Sequence, residues 1–189
     1  MKKSLLILVL VFSSSLVMAQ EKTLISGEIE HGGFGGPRYK LTQINGETVY
    51  ISGGRGGWII NHMFVIGGGG YSLQSDIDVT LGTLSGGVKT EQKLDFNYSG
   101  FEFEYIGKSD NTIHYTIYTL LGGGNVSCGE TDRVFVFEPA VNGELNVIKW
   151  FRINVGISYR LVTGLDISGL DESDLSGIGA SITLKFGIF

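Results

Sequence analysis

Cysteine and proline are scarce in this chain. Cys128 is the only cysteine, so no intrachain disulfide can form. That excludes the small exported scaffolds that replace a hydrophobic core with cross-links. Pro37 and Pro139 are the only prolines beside 30 glycines, and no Gly-x-y repeat is present, which excludes collagen. Basic residues are also in deficit. Without Lys2 and Lys3 the 14 basic residues fall to 12 against 19 acidic ones, and the formal charge moves from −5 to −7. An acidic chain of this kind is a poor match for nucleic acid, and no nucleic-acid partner is expected. Beyond the first twenty residues there is no apolar run long enough for a membrane helix.

Those first residues have their own logic. Lys2 and Lys3 precede an apolar run from Leu5 to Phe12, and Val17 and Ala19 are small enough for a signal-peptidase site. Residues 1–19 therefore read as a cleaved signal peptide and 20–189 as one exported domain. No cysteine stands at the junction, so the usual lipoprotein route is not indicated.

What the exported part does have is alternation. In "WFRINVGISYRL", Phe151, Ile153, Val155, Ile157, Tyr159 and Leu161 alternate with Arg152, Asn154, Gly156, Ser158 and Arg160. A strand sends successive side chains to opposite faces, so this segment has one apolar face and one bearing two arginines. Eight such segments are expected: Leu24 to Ile44, Thr48 to Ile60, Met63 to Leu73, Lys93 to Ile106, Thr112 to Leu121, Arg133 to Val147, Trp150 to Val162, and Ile178 to Phe189. "NGE" at Asn45 to Glu47 is a hairpin signal. Short turns are expected near Asn61, Lys108 and Ile148. Longer polar connections are expected at 74–91, in "GGGNVSCGETD" and in "TGLDISGLDESDLSG".

Short turns on one side and, except for the tight first connection at Asn45 to Glu47, longer loops on the other, with an even strand count, suit an eight-stranded antiparallel up-and-down transmembrane β-barrel. Its lipid face would be apolar and its interior polar. In the sixth segment Phe135, Phe137, Pro139, Val141, Leu145 and Val147 oppose Glu138, Asn142, Glu144 and Asn146. In the fourth, Phe101, Phe103 and Tyr105 oppose Glu102 and Glu104, but Leu94, Phe96 and Tyr98 have the other parity. A bulge near Ser99–Gly100 would restore the facing. The expected interior network is Glu102, Glu104, Glu138, Asn142, Glu144, Arg152 and Arg160. The expected interfacial aromatics are Tyr39, Trp58, Trp150 and Tyr159, since such rings tolerate a half-wet boundary. A soluble exported β-sandwich is the alternative, because two-faced strands occur there as well.

The segments "EPAVNGELNVIKWFRINVGISYRLV", "HGGFGGP", "GGRGGW" and "ITLKFGIF" resemble the small outer-membrane β-barrel proteins of Gram-negative bacteria, most of all uncharacterised members from the Bacteroidetes group. The resemblance implies insertion into outer-membrane lipid by the barrel assembly machinery, with the terminal aromatic Phe189 as part of the recognition signal. One feature departs from that signature: the apolar series Ile182, Leu184, Phe186 and Ile188 is one step out of phase with Phe189.

Chemical motifs are few. "GGRGGW" lacks the Lys-Ser/Thr ending of a phosphate loop, and "GGGGY" lacks dinucleotide spacing. His31, His62 and His114 form no metal-ligand pattern, and the acidic stretch 166–174 lacks calcium-loop order. No cofactor or metal is expected. The expected role is structural or surface interaction through outer loops, with an extracellular partner and a plugged polar interior. A lipid-modifying enzyme, the other alternative, would need a nucleophile beside a base near an outer rim.

Overall fold

The computed structural model describes residues 28–83 and 89–189. The expected signal peptide lies outside the described residues. Ten strands follow in order: β1 (His31–Ile44), β2 (Glu47–Ile60), β3 (Phe64–Leu73), β4 (Asp78–Thr83), β5 (Lys89–Lys93), β6 (Asp95–Gly107), β7 (Ile113–Cys128), β8 (Glu130–Ile148), β9 (Phe151–Thr163) and β10 (Gly177–Ile188). A four-residue helix, α1 (Glu172–Leu175), precedes β10. Eight strands close into a barrel in the order β1-β10-β9-β8-β7-β6-β3-β2, every pairing antiparallel. Closure makes this one sheet rolled on itself, not the two packed sheets of a sandwich.

Both ends of the barrel follow from local chemistry. At the end holding the start of β1 and the end of β10, called the terminal end, tight turns join β2 to β3, β6 to β7 and β8 to β9. Asn61 and His62 have φ of 50° and 54°, and Lys108 has φ of 57°. At the opposite, loop end, Asn45 and Gly46 have φ of 51° and 77°, the combination a two-residue hairpin needs to follow strand twist. The 74–91 connection is not merely polar loop, because β4 and β5 pair as a separate two-stranded sheet. "GGGNVSCGETD" differs more. It lies almost wholly within β7 and β8, which pair without a break to Cys128↔Glu130 around Gly129 (φ 74°). Three consecutive glycines read as a loop from sequence, but neighbouring strands hold their backbone on both sides.

The expected bulge in β6 is absent. β6 pairs continuously with β7 from Asp95↔Ser127 to Gly107↔Tyr115, and with β3 from Phe64↔Tyr105 to Ser72↔Asn97. Leu94, Phe96 and Tyr98 point inward and are buried, whereas Phe101 on the opposite face is 73% exposed. The strand does not change register. Its surroundings change. Toward the loop end the wall carries Asn97, Asn125 and Arg133 outside and Phe96, Val126 and Val134 inside, as in a soluble protein. Toward the terminal end it carries Phe101, Phe103 and Tyr105 outside and Glu102 and Glu104 inside.

Both prolines interrupt one side of the ladder. β8 and β9 pair at Phe137↔Leu161 and again at Ala140↔Ser158, but not at Glu138 and Pro139 between them. β1 and β10 pair at Gly35↔Phe186 and Arg38↔Thr183, skipping Gly36 and Pro37. A proline has no N–H for the carbonyl opposite, so the pairing lapses there while the other neighbouring strand stays in register.

The interior is layered. The loop-end layer is apolar and includes Ile44, Ile51, Phe96, Tyr98, Leu120, Val126, Val136 and Val162. Ile77 and Val79 from the β4–β5 hairpin, and Ile167, Leu170 and Leu175 from the last connection, fold over it. A small layer of Phe34, Ile59, Val65 and Ile106, with Phe189 against it, lies at the terminal end. The charged side chains lie between the two.

Candidate functional site

Inward positions hold six buried cations, Arg38, Lys40, Arg55, Arg152, Arg160 and Lys185, and four buried carboxylates, Glu102, Glu104, Glu138 and Glu144. Strand alternation aims them all at the lumen, and barrel curvature brings strands far apart in sequence within reach of one another.

Two ionic groups result. In the larger, Arg55 on β2 donates from Nε to Glu102 (2.7 Å) and from Nη2 to Glu104 (2.7 Å), both on β6. Lys185 on β10 bridges Glu104 (2.7 Å) and Glu144 (2.5 Å). Glu144 also accepts from Arg152 (3.1 Å) and Asn154 (3.1 Å), and its Oε1 lies 3.2 Å from His114 Nε2. The hydroxyls of Tyr71 and Tyr118 both donate to Glu102 (2.6 and 2.7 Å). In the smaller group Glu138 accepts from Lys40 (2.8 Å), Tyr98 (2.8 Å) and Ser158 (2.8 Å). Buried charge is tolerated only when paired and hydrogen-bonded in this way.

One glycine makes room for this. A Cβ on Gly69 would stand 2.8 Å from the Tyr71 hydroxyl and 3.0 Å from the Glu102 carboxyl carbon. The glycine-rich β3 thus leaves a backbone wall against which Glu102 and Tyr71 meet.

Of the residues expected to form an interior network, Glu102, Glu104, Glu144 and Arg152 lie in the larger group and Glu138 in the smaller. Asn142 donates to Thr116 Oγ1 (3.0 Å). Among the described residues Arg160 forms no ion pair with a carboxylate. It donates to the backbone carbonyls of Leu175 (2.8 Å) and Gln43 (3.4 Å), at the end of α1. Sequence reasoning missed Arg38, Lys40, Arg55 and the partnership of Lys185. Arg38 and Arg55 sit in glycine-rich stretches where no clear apolar alternation marks the inward parity.

The four expected interfacial aromatics all face outward: Tyr39, Trp58, Trp150 and Tyr159 are 37–58% exposed. Phe189 points the other way. Its ring stacks on Phe34 (6.3 Å between centroids) beneath the Arg152 guanidinium (4.0 Å). Ile182, Phe186 and Ile188 face out, so the phase mismatch at the C-terminus is real geometry. Beside it, a cleft of about 590 Å³ lies between the β8–β9 turn and the chain end.

A catalytic assembly does not form from these parts. His114 touches Glu144 and the Asn111 carbonyl, His62 touches Glu30, and Ser158 touches Glu138. Among the described residues no serine is hydrogen-bonded to a histidine, and no three His, Cys, Asp or Glu side chains are grouped to hold a metal.

No protein-family model matches the chain, and neither does any curated protein. Solved structures do. The N-terminal β-barrel domain of Pseudomonas aeruginosa OprF is 8% identical, with a TM-score of 0.56 over 85% of this chain and 100% of that one. Neisserial surface protein A is 8% identical, with a TM-score of 0.54 over 86% and 99%. Pseudomonas aeruginosa OprG is 7% identical, with a TM-score of 0.51 over 84% and 95%. At these identities the likeness is one of architecture, and the chain has the eight-stranded closed fold of small Gram-negative outer-membrane β-barrels.

Proposed function

We propose that this protein sits in a bacterial outer membrane as a plugged barrel and acts there as a structural or surface-interaction element rather than as a pore or an enzyme. The observation that carries this reading is the inversion of its wall. Over most of the barrel, large apolar side chains face out (Ile113 at 71%, Val141 at 63%, Ile157 at 65%) while ionised ones face in. No soluble environment stabilises that arrangement, and hydrocarbon does.

The dimensions agree. On β8 the outward apolar series runs from Phe135 to Val147, which at strand rise is about 40 Å of chain, or about 28 Å when tilted by about 45°. That spans a hydrocarbon core. Trp58 and Trp150 then serve as anchors toward the terminal end, and Tyr39 and Tyr159 farther up the wall. The Arg–Glu–Lys groups and the apolar layers above and below them plug the lumen against solutes. Surface contacts fall to the loop end, where the β7–β8 hairpin, the β4–β5 hairpin and the acidic last connection stand clear of lipid.

Export by cleavage near Ala19–Gln20 and insertion by the barrel assembly machinery complete the reading, with the last strand and Phe189 as the recognised segment. The test is membrane fractionation, combined with gel mobility of unboiled and boiled samples from the same fraction. Recovery in the outer membrane with heat-dependent migration supports the proposal. A signal-cleaved protein in the soluble fraction overturns it.

A further inference from the structure

The outer wall is as uneven in charge as the lumen. Lys108 and Lys149 stand in terminal-end turns, and Lys89 and Lys93 belong to the β4–β5 hairpin. With the six inward cations set aside, Arg133 is the one cation on the outward face of a barrel strand among the described residues. Its position is specific. Arg133 is the outward residue directly above Phe135, where the apolar series of β8 begins. Ladder pairing puts it in a row with Asn125 on β7 and Asn97 on β6, through Asn125↔Arg133 and Asn97↔Asn125. One row lower, Phe135 is joined by Gly123 and Ser99, and below these come Leu121 and Phe101.

Gly123 has no side chain, so the polar row overhangs a cup. Its volume is about 270 Å³, and Asn97, Ser99, Gly123, Asn125 and Arg133 line it. All five are exposed. Asn125 donates to Asn97 Oδ1 (3.4 Å), which orients both amides at the rim. The Arg133 guanidinium has no ion pair among the described residues. Its neighbour Asp132 is already engaged, accepting from the backbone N–H groups of Arg133 (2.7 Å) and Asp166 (2.6 Å). Asp95, one outward position above Asn97, lies two strands from Arg133, about 10 Å across the wall.

We propose that this cup holds the phosphate of a lipid headgroup in the loop-end leaflet. Arg133 is its cation, Asn97 and Asn125 are neutral donors at the rim, and the acyl chains lie down over Phe135, Leu121 and Phe101. The inference rests on the outer-membrane reading above. A guanidinium offers paired N–H donors that match phosphate oxygens, which selects an anionic head. The apolar wall begins one row beneath, which selects a ligand with a hydrocarbon tail over a free anion. The cup is open to the outside, so a headgroup reaches these groups without any movement of the wall.

The test is native mass spectrometry of the detergent-folded protein offered phosphatidic acid and diacylglycerol with the same acyl chains. One phosphatidic acid should be retained about fivefold over diacylglycerol. Arg133→Gln should abolish that preference. Gly123→Val should abolish it too, since it fills the cup and leaves the charge in place. A Cβ at Gly123 meets only the Val134 carbonyl oxygen, at 3.4 Å, so the wall accepts the change. Lys149→Gln, at the opposite end, should leave the preference intact. Equal retention of the two lipids by the unaltered protein overturns the site, and so does an undiminished preference in Arg133→Gln. Displacement of phosphatidic acid by equimolar inorganic phosphate overturns the lipid assignment. Gel mobility of the same sample separates the two readings. A protein without heat-dependent migration fails as a membrane barrel, and this site fails with it. One that migrates as a barrel but retains both lipids alike fails at this site alone.

Discussion

Two of the interior layers of this barrel are held together by opposite means. The loop-end layer of Ile51, Leu120, Val126 and Val136 is built from side chains that need only the right volume and an inward position. The charged layer below it is built from groups that each need a named partner. Glu144 alone serves Lys185, Arg152, Asn154 and His114 from three other strands. In the first layer, removing one residue leaves a cavity. In the second it leaves several charges without partners. The apolar layer should therefore degrade in proportion to the atoms removed, and the charged layer in proportion to the bonds orphaned.

The largest expected effect tests that difference directly. Glu144→Leu leaves Lys185 and Arg152 under-compensated and should cost about 3–5 kcal/mol, read as the urea midpoint of detergent-folded protein. Pairing it with Lys185→Met should recover part of the loss, because an apolar pair replaces a buried ionic one at little net cost. If the double variant is as unstable as the sum of the singles, the charged layer is not coupled as described. Leu120→Ala, in the apolar layer, should cost about 3 kcal/mol by the same assay, and no second substitution among the charges should rescue it. Gly69→Ala forces Glu102 away from Tyr71 and should cost about 1–3 kcal/mol, although it adds only a methyl group. Ile51→Val should be the mildest, at about 1 kcal/mol.

The same contrast explains what the sequence revealed. Alternation in β7, β8 and β9 made the barrel and its inward carboxylates legible, because an apolar outer face and a charged interior give a strict two-residue period. β6 was misread at Ser99–Gly100, where the period continues but its meaning reverses: above that point polar residues replace apolar ones outside and the apolar layer replaces charge inside. A parity slip and a change of surroundings look alike in one dimension. Arg38, Lys40 and Arg55 stayed hidden for another reason. Arg38 and Arg55 have neighbours, Gly36, Gly53, Gly54, Gly56 and Gly57, that carry no side chains to mark a face. Lys40 lies between the outward Tyr39 and Leu41. The ionic partners of Arg55 and Lys40 are about 50 residues or more away. No local pattern encodes a partner on β6, β8 or β10.

Pro37 also has a consequence in time. A barrel closes when its first and last strands meet, and here the closing seam lacks the pairing at Gly36 and Pro37. Other contacts staple that seam: Arg38 to the Ser181 hydroxyl, the Thr42 hydroxyl to the Ile178 carbonyl (2.9 Å), and the Phe34 ring on Phe189. All three need residues of β10 or the one just past it, which are made after every other strand of the barrel. The seam cannot be fully clasped until β10 and Phe189 are in place, so removal of Phe189 loses one of the contacts that tell a closed cylinder from an open sheet.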